Sequence, residues 1–154
     1  TLFRSSFTNA LVIDKLKAGE KPRVPVRDDT KRTLIWTPDA SRALAAIGNT
    51  PDAFGQTWHL PCCDDRPTYK QLVTSACEVF DRDASYTVLG AWTLAAAGLF
   101  SSKVREIKEL LPRYAQDNLF DSSKFKHRFP EFEVTTYREG LELIHREWLE
   151  SRSH

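Results

Sequence analysis

The stretch Arg32–Ala43, with the sequence RTLIWTPDASRA, carries the signal that decides the fold class. Its early part, Thr33–Trp36, is a short apolar run that predicts a strand. A helix start follows, because Thr37 is a good N-cap, Pro38 suits the first helical position and Asp39 favours the positive end of a helix. Apolar residues then recur at helical spacing until a glycine ends the pattern. The stretch therefore predicts a strand that leads directly into a helix.

Strand and helix signals alternate on both sides of this stretch. An amphipathic helix is predicted over Ser6–Gly19, and another begins at Thr68, which is spaced for a capping box with Gln71. Further strands are predicted over Arg23–Val26, Gly55–Leu60 and Tyr86–Leu89. This order predicts an α/β fold in which the strands are few and short and helix dominates.

The second half of the chain is predicted to be helical. The predicted helices are Trp92–Leu99, Ser102–Leu111, a short helix capped by 121–123 that stops at Pro130, and a final helix opened by a Thr136–Glu139 capping box. A composition break at Pro61–Arg66 separates the sub-parts 1–61 and 62–154. We assign both to a single region over 1–154.

Composition limits the functions open to this chain. Its 154 residues suit one core, and a net charge of +1 gives no electrostatic basis for binding nucleic acid or an anionic membrane. No apolar run approaches the roughly 20 residues of a membrane helix. Three cysteines, two of them adjacent, make a poor disulfide framework, so we expect reduced thiols in a cytoplasmic protein. Because the chain starts at Thr1 and contains no Met, we expect a fragment or a processed chain.

Motifs for catalysis and cofactor binding are missing from the sequence. The six glycines are too widely spaced for a dinucleotide phosphate loop, and no tyrosine stands four residues before a lysine. His59, Cys62 and Cys63 lack the further ligand and the spacing of a zinc site, which favours a strand-end histidine and two turn thiols. The sequence therefore predicts no catalytic, cofactor-binding or metal-ligating residue in this chain.

Several segments, taken together and in order, resemble the C-terminal portion of extended or atypical short-chain dehydrogenases/reductases, the NAD-dependent epimerase/dehydratase family. Between Thr8 and Ile144 the resemblance covers nearly the whole chain. The segments that carry it are Arg32–Ala43, Asn49–Phe54, Gly55–Pro61, Pro67–Leu72, Phe120–Phe125 and Thr135–Leu141. The resemblance implies a longer parent enzyme, with an N-terminal Rossmann domain that binds NAD or NADP and holds the catalytic Ser/Thr, Tyr and Lys. It also implies that this chain alone binds no cofactor and is inactive.

The resemblance also implies where substrate binds. Arg32 matches the arginine that binds substrate phosphate in sugar-nucleotide members, although an ordinary surface arginine before a strand would look the same. The segment with Arg113, Tyr114 and Gln116 is expected to lie near substrate. Arg113-Tyr-Ala-Gln replaces the family's Arg-Gly-Asp pattern, and this departure counts against a sugar nucleotide. The small-molecule substrate that the resemblance implies is a sugar nucleotide or another carbonyl or hydroxyl compound.

The functional hypothesis is a substrate-binding part of an NAD(P)-dependent epimerase/dehydratase or reductase, an oxidoreductase or isomerase. The alternatives are a stand-alone binding or interaction module that has lost its cofactor domain, and a structural subunit that pairs with a separate Rossmann chain. A fragment would leave uncovered the apolar faces that pack on the missing domain, so we expect it to self-associate.

Overall fold

A computed structural model describes residues 8–90 and 111–153. These residues form a mixed structure of helices and two short parallel strands, in agreement with the predicted α/β class at that coarse level. The strands are β1 (Arg23–Pro25) and β2 (Thr87–Leu89). The α-helices are α1 (Asp14–Lys17), α2 (Thr37–Gly48), α3 (Tyr69–Val79), α4 (Leu111–Tyr114), α5 (Ser123–Arg128) and α6 (Tyr137–Arg152). The predicted helix Trp92–Leu99 and nearly all of Ser102–Leu111 lie outside the described residues.

The chain forms two compact units, each assembled from separate segments. Within the described residues, the sheet unit comprises 8–32, 67–90 and 111–118, and the helical unit comprises 33–66 and 119–153. Each unit takes segments from both sides of the composition break at Pro61–Arg66. That 1–154 is a single functional region stays a prediction.

In the sheet unit, β1 and β2 pair in parallel, with Val24 opposite Val88. Parallel neighbours need a crossover connection, and α3 lies on the connection between these two strands. Val24 is fully buried, whereas Val88 is 42% exposed. The core of the unit is apolar and comes mainly from the first helix and α3: Val12, Ile13, Leu16, Val24, Leu72, Val73, Ala76, Cys77 and Phe80.

The first helix of the sheet unit ends at the predicted glycine. A π-helical segment, Asn9–Ile13, continues into α1. Gly19 then adopts φ +72°, while its N–H donates to the Leu16 carbonyl and the Glu20 N–H donates to the Lys15 carbonyl. This pair of bonds is a Schellman motif, which needs a residue in the left-handed region and so favours glycine.

Both predicted capping boxes are confirmed. Thr68 accepts a hydrogen bond from the Gln71 N–H at 3.2 Å, and Gln71 Oε1 accepts one from the Thr68 N–H at 2.9 Å. Thr136 and Glu139 exchange the same two bonds at the start of α6. Each box satisfies two N–H groups that the helix itself cannot pair, so both helices begin where local chemistry predicts.

In the helical unit, α6 buries Gly140, Leu141 and Ile144, and an aromatic cluster forms around Phe125. Phe125 is fully buried, and its ring centroid lies 4.7 Å from that of Phe129 and 5.2 Å from that of Phe132. Gly140 lies against the Trp36 indole, which a Cβ at position 140 would meet at 3.1 Å. Close approach of the indole to the helix backbone therefore favours glycine at that position.

Two predicted strands are wrong. Neither residues 33–36 nor residues 56–60 belong to a strand of the described sheet. Around Thr33, backbone N–H groups bond to side chains. The Leu34 N–H donates to the Tyr137 hydroxyl, and the Phe120 N–H donates to Thr33 Oγ1. An apolar run predicts extended backbone, but a ladder needs a neighbouring strand in the right place.

Three details of the predicted helices are also wrong. Trp36, in extended conformation, is the N-cap of α2, and Thr37 is already helical. Leu44, predicted on the buried face, is 58% exposed. Residues on both sides of Pro112 are helical, since α4 spans Leu111–Tyr114, and a proline excludes helix only where its missing N–H or its ring conflicts with the preceding turn.

Candidate functional site

Arg32 lies where three chain segments of the sheet unit run side by side. Lys31 forms an antiparallel bridge with Thr68, and Arg32 forms a parallel bridge with Asn118. The Lys31 carbonyl accepts from the Asn118 N–H at 3.0 Å, while the Lys31 N–H donates to Asp117 Oδ1 at 2.8 Å. These backbone bonds fix the position from which the Arg32 side chain extends.

The Arg32 guanidinium packs against two tyrosine rings. Its central carbon lies 4.0 Å from the centroid of the Tyr114 ring and 5.9 Å from that of Tyr69. Its Nη2 donates to the Arg113 carbonyl oxygen. Its Nε is buried and has no hydrogen-bond partner within the part of the chain that the structure describes. A guanidinium has five N–H donors, so this side chain retains capacity for an additional acceptor.

Tyr69, the second ring, is buried at the start of α3. Its hydroxyl shares a hydrogen bond of 3.0 Å with Thr8 Oγ1, and its ring centroid lies 6.3 Å from that of Tyr114. Burial raises the pKa of Tyr69, because the low-dielectric surroundings penalise the phenolate. Tyr69 is therefore a neutral phenol near pH 7. We call Thr8, Arg32, Tyr69 and Tyr114 the arginine–tyrosine cluster.

Of the four residues predicted to contact substrate, the structure brings three together. Arg32 stacks on Tyr114 and meets Arg113, but through the Arg113 carbonyl, since the Arg113 side chain is exposed. Gln116 is also exposed, and no hydrogen bond between described residues joins its side chain to the cluster.

Sequence reasoning missed Thr8 and Tyr69. Tyr69 follows the Thr68 cap directly and belongs to the apolar stripe of α3, which explains it as a core residue. Its hydroxyl contact with Thr8 joins positions 61 residues apart. Such a pairing has no local signal in the sequence.

The helical unit has a separate polar centre at Asp39. This carboxylate is 1% exposed and accepts from the Arg42 Nη2 at 2.7 Å, the Thr135 N–H at 2.7 Å and the Thr135 hydroxyl at 3.1 Å. Arg42 also donates to the Glu133 carbonyl and lies over the Phe132 ring. Asp39 thus ties α2 to the segment before α6, a larger role than the helix-start residue that the sequence predicts.

Asp39 is a structural group, because its carboxylate already has three donors and almost no exposure. A mixed-charge groove of about 360 Å³ passes over this centre and is lined in part by Arg42, Glu139 and Arg146. The arginine–tyrosine cluster is better suited to a ligand, because its cation is only partly satisfied.

Neither a metal site nor a membrane helix is found in the described ranges. Residues 8–90 and 111–153 contain no group of three or more His, Cys, Asp or Glu side chains placed to hold a metal ion. No helix within those residues is long and apolar enough to cross a membrane.

The chain was compared with models of known protein families, with curated proteins and with solved structures, and none of them matches it.

Proposed function

We propose that this chain is the substrate-binding C-terminal part of an NAD(P)-dependent epimerase/dehydratase-type enzyme, and that Arg32 binds an anionic group of the substrate. The observation that supports it is the Arg32 guanidinium, which lies 4.0 Å from the Tyr114 ring and keeps a buried Nε without a partner among the described residues. A buried, unsatisfied N–H is rare and calls for an acceptor.

The chemistry of the arginine–tyrosine cluster suits recognition of an anion. The guanidinium lies over the Tyr114 ring and within cation–π distance of the Tyr69 ring, and both contacts help to hold it in place. A planar guanidinium offers paired N–H groups to a carboxylate or phosphate. Tyr69 is kept neutral by burial and is hydrogen-bonded to Thr8. It therefore helps to position the guanidinium and adds no charge to the site. The substrate expected is a small anionic carbonyl or hydroxyl compound, a sugar nucleotide being one such class.

The described glycines do not fit the phosphates of a dinucleotide. They stand singly at 19, 48, 55, 90 and 140, and Gly140 receives the Trp36 ring. A phosphate loop needs several glycines close together, so that the backbone can approach the ligand. We therefore assign no cofactor step to these residues and propose that NAD or NADP is bound by a Rossmann domain outside this chain.

Self-association belongs to the same proposal. Large apolar side chains of the helical unit are exposed at 43–60% of their surface: Leu44, Phe54, Leu119, Phe120 and Leu149. Light scattering over a concentration series is expected to show a mass above that of one chain. A stable monomer at high concentration would count against this part of the proposal.

Calorimetric titration with NAD(H) and NADP(H) tests the cofactor assignment. We expect no binding by this chain, and binding with turnover by a version extended upstream to its natural start codon. If this chain binds cofactor by itself, or is already full length, the stand-alone binding module replaces the enzyme hypothesis.

The anion site is tested in the same extended protein with inorganic pyrophosphate and citrate as probes. The variant Arg32→Lys, which keeps the charge but loses the planar fork, is expected to weaken binding about tenfold. Arg27→Lys is the matched control, because Arg27 lies exposed in the same unit and pairs with Asp29. Equal affinity in wild type and Arg32→Lys would exclude Arg32 as the anion ligand.

A further inference from the structure

The loop Pro61–Arg66 in the helical unit places two adjacent thiols beside a cation and a hydroxyl. Cys62 is 1% exposed, and its Sγ lies 3.6 Å from Arg66 Nη2 and 3.8 Å from Ser122 Oγ. Cys63 is only half-buried, so solvent reaches it. Cys62 is thus held inside by hydrogen bonds, and its chain neighbour Cys63 keeps partial exposure.

Arg66 is anchored beside these thiols. Its Nη2 also donates to the Phe120 carbonyl at 2.7 Å, and its Nε is buried without a partner among the described residues. Tyr137, whose hydroxyl accepts from the Leu34 N–H at 3.3 Å, is near enough to interact electrostatically with both thiols and with Arg66. The guanidinium therefore places a positive charge and a hydrogen-bond donor 3.6 Å from the sulfur of Cys62.

We propose that Cys62 and Cys63 form a reversible thiol modification site that reacts with low-molecular-weight disulfides. Cys63 is the thiol that meets the external disulfide, and Cys62, activated by Arg66 and Ser122, is the thiol that resolves the mixed disulfide. This site is independent of the arginine–tyrosine cluster and of the function proposed above.

The reaction proceeds in two exchanges. The Cys63 thiolate attacks one sulfur of the external disulfide, so that a mixed disulfide forms, the external S–S bond breaks and one small thiol leaves with a proton from solvent. The Cys62 thiolate then attacks Cys63 Sγ, the Cys62–Cys63 bond forms and the second small thiol leaves. The two protein thiols are oxidised, and one external disulfide is reduced to two thiols.

The same geometry makes the product easy to reduce. Adjacent Cα atoms are about 3.8 Å apart, which is below the usual Cα separation of disulfides, so the bond between Cys62 and Cys63 is strained. Arg66 and Ser122 also stabilise Cys62 as a leaving thiolate. Strain and leaving-group stabilisation both favour the reduced form, which is the behaviour of a reversible site and not of a structural disulfide.

The test treats the full chain with oxidised glutathione and follows intact mass and peptide maps. Wild type is expected to lose two hydrogens from the peptide that holds residues 62 and 63, and a thiol reductant should restore them. Cys62→Ser is expected to retain one glutathione on Cys63, and Cys63→Ser to take none. Cys77, which is fully buried, is the internal control and should stay unmodified.

The role of Arg66 is tested by the lifetime of the mixed disulfide. Arg66→Met is expected to lengthen it about tenfold, because the resolving sulfur loses its cation, and Arg66→Lys should recover most of the rate. Circular dichroism checks that each variant folds. If Cys62→Ser does not fold, phenylarsine oxide on wild type replaces it, since bridging of both thiols by one arsenic shows that they react together.

Three outcomes would overturn the proposal. They are no reaction of wild type with oxidised glutathione, a mixed disulfide on wild type that never resolves, and modification of Cys77 at the same rate as Cys63.

Discussion

The guanidinium carbon of Arg32 lies 4.0 Å from the centroid of the Tyr114 ring, although the two residues are far apart in the sequence. The same guanidinium donates to the Arg113 carbonyl. Through these two contacts Arg32 joins α4 to the segment that follows β1, and it stabilises the arrangement of the candidate anion site. Its contribution to folding can be measured separately from ligand binding.

Arg32→Ala is expected to lower the free energy of unfolding by about 1–2 kcal/mol, through the lost hydrogen bond and cation–π contact. A double-mutant cycle with Tyr114→Leu, measured by urea unfolding, should give a coupling energy of about 0.5–1 kcal/mol. Ser85→Ala, in an exposed loop of the same unit, is the control and should couple with neither. Strictly additive effects of Arg32→Ala and Tyr114→Leu would show that the stacking stabilises nothing.

Asp39 is expected to be among the most sensitive positions of the helical unit. Replacing it by Ala leaves the Thr135 N–H without its buried acceptor and Arg42 without its carboxylate, which should cost about 3 kcal/mol in urea unfolding. The contrast is Arg138→Ala, which breaks an exposed pair with Glu142 and should cost under about 0.5 kcal/mol. Similar losses at the two positions would contradict the structural role assigned to Asp39.

Tyr86 is expected to titrate late. Its hydroxyl donates to Asp28 Oδ2 at 2.7 Å, and this hydrogen bond, together with burial and the carboxylate charge, raises the pKa of Tyr86 to about 12 from an ordinary 10.0. The folded state thus holds the proton more tightly than the unfolded state. The stability that this gives is complete below pH 10 and is lost as the pH rises through about 12.

The difference in phenolate absorbance between wild type and Tyr86→Phe measures the titration of this one group. Asp28→Asn removes the carboxylate and should move the titration back towards the ordinary tyrosine value. A Tyr86 phenol that ionises normally in the folded protein would show that the hydrogen bond to Asp28 is absent in solution.

Gly140→Ala is expected to destabilise the protein, although alanine favours helix by about 1 kcal/mol over glycine. The added methyl group would lie 3.1 Å from Cε3 of the Trp36 indole and would force the ring outward. Thermal unfolding and tryptophan fluorescence should both change. Gly48→Ala, at the end of α2 with open space around its Cβ position, is the matched control and should be neutral or stabilising. Equal effects of the two substitutions would show that Trp36 moves aside at no cost.

Local chemistry was predictable from the sequence, and pairing was not. The Thr68 and Thr136 capping boxes and the glycine end of the first helix were correctly predicted, because each depends on residues within one turn of helix. The strand predicted over Thr33–Trp36 failed, because a strand needs a partner, and this segment bonds to the side chain of Tyr137 instead.

The candidate site shows the same division. Arg32, Arg113, Tyr114 and Gln116 were named from the resemblance, whereas Tyr69 was assigned to the core and its place beside Arg32 was not predicted. The residue type shows that an arginine can bind an anion and stack on an aromatic ring. Its partners depend on where the folded chain brings side chains that are distant in sequence.

The sequence by itself determined the starts of α3 and α6 at their capping boxes, the glycine end of the first helix, the apolar faces of α3 and α6, and the presence of adjacent thiols at Cys62 and Cys63. Only the tertiary structure decided which segments pair, that Asp39 is buried among three donors, and that Arg32 lies over the Tyr114 ring and near Tyr69 while one of its N–H groups stays unpaired. The physical reason is the distance along the sequence between the residues that interact. Caps and helical faces depend on neighbours a few residues away, whereas burial, stacking and strand pairing depend on which distant segments the packing of the core brings together.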